Sequence, residues 1–195
     1  MNVTATAPTA PKTHIPEDLN QLPDGGKGFE LVDGELKERQ VSKESGRIGL
    51  RLGHFLIVFC DAHGGWVYGS DLGFRCFTDD PRRVRKADMA YVSFAKMPVE
   101  AYEDEGFCTT VPDLVAEVIS PNDLAANLEE KREEWLAAGV KIVWIVDPAT
   151  RTVRVHRADG GYAFLRETDT LTADDVLPGF ACPVADLFRL PGTPA

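Results

Sequence analysis

The chain has 195 residues, of which 44% are apolar and 27% charged, and it carries a formal net charge of −10. That length and balance fit one soluble domain with its own core, and the acidic total argues against a surface that is basic throughout for nucleic acid. No apolar run reaches the roughly 18 residues a membrane span needs, so no transmembrane helix is expected.

Residues 1–25 begin rich in Pro, Thr and Ala and lack a charged segment followed by an apolar one. A secretory signal is therefore not expected, and the segment reads as a disordered or loosely ordered lead-in to a single domain over 26–195. The four cysteines (Cys60, Cys76, Cys108 and Cys182) are scattered with no CxxC pair. They read as plain thiols in a reducing, cytoplasmic setting.

In chain order, 28–39 predicts a hairpin closed by Asp33-Gly34, a type I′ turn signal. Ile48, Leu52, Phe55, Leu56 and Phe59 then follow helical spacing, with Gly49 and Gly53 on one face for close packing. Segments 66–68, 74–77, 88–93 and 113–119 read as strands. A helix is expected over 123–138, capped by Asn122 or Asp123 and stopped at Gly139. The almost wholly apolar 141–146 predicts a strand covered on both faces. Segments 152–156 and 162–165 make a further hairpin, and the tail from Leu171 to Phe188 is expected on the sheet edge. This order is α/β with a mixed sheet.

Three charged residues break the apolar pattern. At about 100° per residue from Leu124, Lys131 falls inside the stripe formed by Leu124, Leu128, Trp135 and Ala138. An ammonium there needs a partner or must snorkel to water. Glu117 shares a strand face with Asp113, Val115 and Ile119, so it is either a site residue or half of a buried ion pair. Asp88 opens an apolar strand and can stand beside Glu117 or serve as a surface turn residue. Two carboxylates from adjacent strands suit a hard cation such as Mg²⁺, with Mn²⁺ as a substitute, and a nearby lysine can assist an attacking water. The one dense basic run, Arg82, Arg83, Arg85 and Lys86, leads directly into Asp88 and is the candidate phosphate-binding surface.

The segments FELVDGEL, GSDLGF, RKADMAYVS, PDLVAEVISPND, LEEKREEWLAAGV and VWIVDP together resemble the Uma2 family of restriction endonuclease-like proteins, within the PD-(D/E)XK superfamily. The resemblance implies a restriction-endonuclease-like mixed β-sheet core flanked by helices. It also implies magnesium-dependent cleavage of DNA, no membrane association, and a homodimer. Residue by residue, it makes Asp88 and Glu117 the core carboxylates and metal ligands. Ile119 stands where the superfamily's lysine is usual, and the lysine is implied to have moved to Lys131. A further acid from the first hairpin often completes such sites, and Glu35 is the candidate, with Glu30 behind it. Asp113 belongs to a tempting Pro-Asp pair, but it stands about 13 Å along an extended strand from Glu117, too far to share one ion. The family's usual Pro before the first aspartate is Ala87 here, and Glu44-Ser45-Gly46 replaces its histidine near the first helix. A non-catalytic binding or assembly module, or a nuclease for RNA or branched DNA, remain the alternatives.

Overall fold

The computed structural model describes residues 13–192. Asp33 and Gly34 both have positive φ, 52° and 78°, as a type I′ turn requires, and they fold β1 (Phe29–Val32) onto β2 (Glu35–Glu38). The helix α2 (Lys43–His63) starts where the Ser42 hydroxyl accepts the Ser45 N–H at 3.0 Å. Its apolar stripe puts Ile48, Leu52 and Leu56 in the core. Gly53 lets the helix come close to the sheet, since a Cβ there would stand 2.9 Å from Met89 Sδ.

A six-stranded sheet runs in the order β3 (Trp66–Gly69), β4 (Met89–Val92), β5 (Leu114–Val118), β6 (Ile142–Asp147), β7 (Thr152–Arg157) and β8 (Tyr162–Leu165). Only β5 and β6 pair in parallel, and α3 (Ala125–Ala137) makes the crossover between them. The mixed α/β sheet expected from the sequence is therefore present. Alternation sorts β5 cleanly: Leu114, Ala116 and Val118 join the core on the α2 side, while Val115 joins Trp135 of α3 on the other. Glu117 shares the face of Val115.

Four expectations need correction. The segment 74–77 is not a strand; Phe74 makes only isolated bridges to Arg85 and Cys108. Its aromatic rings pack edge-on or tilted against Trp135 instead, so burial under α3 replaces ladder pairing. The α3 N-cap position falls to Leu124, because the Asp123 carboxylate accepts the Ser120 N–H at 2.7 Å and closes the preceding turn. The tail forms β9 (Thr170–Ala173), β10 (Leu177–Pro183) and α4 (Val184–Phe188), which cover a sheet face beside α2 rather than its edge. Phe180 stacks on Trp144 at 5.7 Å, which the alternating apolar residues of β10 make possible. Finally, of the expected lead-in, 1–12 lie outside the described residues, whereas α1 (Pro16–Asn20) buries Leu19 against Leu31 and Val84.

Candidate active site

The antiparallel register of β4 and β5 pairs Met89 with Ala116 and Ala90 with Val115. One step outward, that register sets Asp88 opposite Glu117, on the face that α3 covers. The contact is tied by the backbone: Val118 N–H donates to Asp88 Oδ2 at 2.7 Å.

From above, α3 presents Lys131 and Trp135 one turn apart. Lys131 Nζ donates to Glu117 Oε2 at 2.9 Å, and Trp135 Nε1 donates to Glu117 Oε1 at 2.9 Å. The same ammonium contacts Glu30 Oε1 at 2.9 Å and the Lys86 carbonyl at 2.7 Å. Two hydrogen bonds and one further ion pair thus hold the ammonium. Glu30 also accepts the Lys86 N–H at 2.7 Å and an Arg85 Nη1 donor at 3.1 Å. On the open side, Arg39 Nη2 donates to Asp88 Oδ1 at 2.7 Å and Arg39 Nη1 to the Ser70 carbonyl at 2.7 Å. Glu30, Arg39, Asp88, Glu117 and Lys131 all line one pocket of about 160 Å³, with Asn122, Asp123 and Asn127 at its rim.

The two buried glutamates are shifted in opposite directions. Burial pushes Glu117 up to about 7, Lys131 opposes that, and the nearby Asp88 and Glu30 carboxylates reinforce it. Burial would raise Glu30 as well, but Lys131, Arg85 and the Lys86 N–H hold it down at about 2. Burial disfavours the Lys131 ammonium, yet Glu117 and Glu30 keep it above its ordinary range.

The Uma2 family model, described as "Putative restriction endonuclease", matches residues 16–185. The chain belongs to the Uma2 family. Membership supports a nuclease, and hence a hydrolase. Matching solved structures include one described as a "putative nuclease belonging to DUF820" from Anabaena variabilis, at 15% identity. The likeness covers 89% of this chain and 97% of that one with a TM-score of 0.72, and it shows the shared fold. Among curated proteins, none matches the chain. No helix among the described residues is long and apolar enough to cross a membrane.

Within this Uma2 protein, Asp88, Glu117 and Lys131 come together around the pocket. Glu35 does not. It lies exposed on β2 opposite Val32, and Glu30 on the neighbouring strand takes the inward position. The signal was available: Glu30 sits among Phe29, Leu31 and Val32, the same kind of apolar strand that drew attention to Glu117. The basic run also needs correction. Arg83, Arg85 and Lys86 are buried rather than gathered on a surface. Arg83 pairs with Asp79, Arg85 with Glu30 and Glu134, and Lys86 Nζ donates to the Gly26 carbonyl. Arg82 alone of the four points outward, beside Asp80. Asp113 caps the other end of β5, accepting the Ser93 N–H and pairing with Lys96.

Two site residues escaped the sequence reading. Trp135 shares the Lys131 stripe, and a buried indole N–H needs an acceptor, which was the available clue. Arg39 gave none, because only the fold brings it to Asp88. As for metal, no three His, Cys, Asp or Glu side chains among the described residues converge as a ready ligand cluster. The pocket instead offers two hard carboxylates, Asp88 and Glu117, on opposed strand positions. That donor set fits Mg²⁺, which takes one or two carboxylates and fills its shell with waters and phosphate oxygens.

Proposed function

We propose that this protein is a magnesium-dependent endonuclease that hydrolyses DNA phosphodiester bonds at the pocket between β4, β5 and α3. The observation that carries the reading is the placing of Asp88 opposite Glu117 with Lys131 2.9 Å from the Glu117 carboxylate. Asp88 and Glu117 would hold the ion, with Mn²⁺ as a substitute. When bound, the ion supplies Lewis-acid polarisation of the phosphate and lowers the pKa of a water. Lys131 stays an ammonium under the influence of Glu117 and Glu30, so its part is to orient the water and balance developing negative charge rather than to remove a proton. Glu30, anchored by Arg85 and the Lys86 N–H, fixes where that ammonium stands. Trp135 holds the second Glu117 oxygen and so sets the rotation of the carboxylate.

Cleavage of supercoiled plasmid DNA with Mg²⁺ tests the reading. Wild type should nick or linearise the plasmid, and Glu117→Ala and Lys131→Met should lose at least about 100-fold of the rate. Equal cleavage by Glu117→Ala would sink it. A parallel panel of RNA and branched DNA decides the substrate form. One observation favours a second reading, a non-catalytic binding or assembly module: every carboxylate oxygen of Asp88 and Glu117 already has a donor from the chain itself. Folded protein that neither binds Mg²⁺ nor cleaves any member of the panel would establish that reading in place of the first.

A further inference from the structure

Arg39 stands just beyond β2, and its guanidinium reaches across the pocket mouth to Asp88. Both Asp88 oxygens are engaged, but in different ways. Oδ2 is held by the Val118 N–H, which is fixed in the backbone beside the sheet, whereas Oδ1 is held by the end of a side chain that can rotate away.

The three cations paired with Glu30, Asp88 and Glu117 are not equally committed. Lys131 lies between Glu30 and Glu117 and also donates to the Lys86 carbonyl. Arg85 is gripped by Glu30 and Glu134 and is only 4% exposed. Arg39 contacts one carboxylate and one carbonyl. With one carboxylate partner against two for each of the others, it is the most easily released of the three. With Arg39 withdrawn, Asp88 loses the guanidinium paired with it and keeps the neutral Val118 N–H as its donor.

We propose that Arg39 is a latch on Asp88: its guanidinium and a divalent cation compete for Oδ1, so this residue sets the affinity of the site for metal. The inference rests on the reading of Asp88 and Glu117 as metal ligands. A dication and a guanidinium on one carboxylate oxygen repel each other strongly in a pocket of lowered dielectric, so occupancy by one excludes the other. The loss of the Arg39–Asp88 ion pair is then part of the cost of loading metal, and the Arg39 side chain swings away when the site loads. Rotation about the Arg39 side chain suffices for this, and the strand pairing of the hairpin stays intact.

The test is isothermal titration of the full-length protein with Mn²⁺, for wild type, Arg39→Met, Arg39→Lys and Asp88→Asn, with circular dichroism to confirm folding of each. Arg39→Met should bind Mn²⁺ at least about tenfold more tightly than wild type, because the competing cation is gone. Arg39→Lys keeps the charge with a shorter reach and three N–H donors in place of five, and it should fall between them. Asp88→Asn should bind weakly whatever stands at position 39. Equal or weaker binding by folded Arg39→Met and Arg39→Lys, with wild type binding measurably, overturns the latch and leaves the metal site standing. Absence of Mn²⁺ binding in wild type and in both Arg39 variants overturns the latch together with the metal-site reading.

Discussion

Lys131 and Trp135, one helical turn apart on α3, each donate at 2.9 Å to a different oxygen of Glu117. One helix face thereby fixes both the position and the rotation of a buried carboxylate. Trp135→Phe keeps the ring packing against Phe74 and Phe77 but deletes the indole donor. It should destabilise the fold by about 1.5–3 kcal/mol, the range for hydrogen bonds to charged groups, and it should raise the Glu117 pKa further. Urea denaturation and carbon-13 titration of the Glu117 carboxyl measure the two effects. A stability loss with an unmoved Glu117 titration would mean the indole matters only as packing.

Glu30 and Glu35 lie on paired strands of one hairpin and should behave oppositely. Glu30→Gln weakens the grip on two buried cations, Arg85 and Lys131, and should cost about 3–5 kcal/mol. Glu35→Gln removes an exposed charge and should stay within about 0.5 kcal/mol of wild type. Chemical denaturation of both variants at pH 7 decides whether the inward acid of the hairpin has been identified correctly.

The pH dependence of stability follows from the same pocket. Glu117 is raised from 4.5 to about 7, so between those values the folded chain keeps a proton that the unfolded chain has released. Stability from this group is therefore full below about 4.5 and falls as pH rises through about 7. Glu30 is lowered to about 2, so its contribution is full above its unfolded value and is lost only as pH falls toward 2. Glu117→Gln removes the first titration and leaves the second. The stability of wild type relative to Glu117→Gln should drop by about 1–3 kcal/mol between pH 5 and pH 8. A constant difference across that window would contradict the assignment.

Two glycines of α2 give a paired packing test. A Cβ at Gly53 would stand 2.9 Å from Met89 Sδ, whereas one at Gly49 would meet Met89 Cε at an ordinary 3.8 Å. Gly49→Ala should stabilise by up to about 1 kcal/mol through helix propensity. Gly53→Ala gains the same propensity but forces Met89 to shift, and overpacking of about 1–3 kcal/mol should leave it less stable than Gly49→Ala. Thermal unfolding of the two variants side by side reads the difference.

What the sequence disclosed is what local periodicity controls. The Asp33-Gly34 turn, the α2 stripe, the apolar β6 and the inward place of Lys131 all follow from spacing within one element. Phe74 and Phe77 show where this fails: aromatic residues in an extended stretch look like a strand, and only the position of Trp135 reveals that they pack beneath a helix. Arg83, Arg85 and Lys86 look like a solvated basic patch: Arg83 pairs with Asp79 only four residues away, but Arg85 finds Glu30 and Glu134, and Lys86 the Gly26 carbonyl, on elements that sequence adjacency does not bring together. The tail failed for a similar reason, since its partner Trp144 belongs to a strand already covered on its other side.

The Glu30–Lys131 contact also bears on how the molecule assembles. Its two residues lie about 100 positions apart, and the hairpin carrying Glu30 joins its backbone to the segment before β4 through the isolated Leu31–Val84 bridge rather than as a member of the six-stranded sheet. Contacts that close so long a loop form late. The pocket should thus be among the last features to mature during refolding, and a refolding intermediate should already have its β5–α3–β6 unit while its hairpin is still undocked.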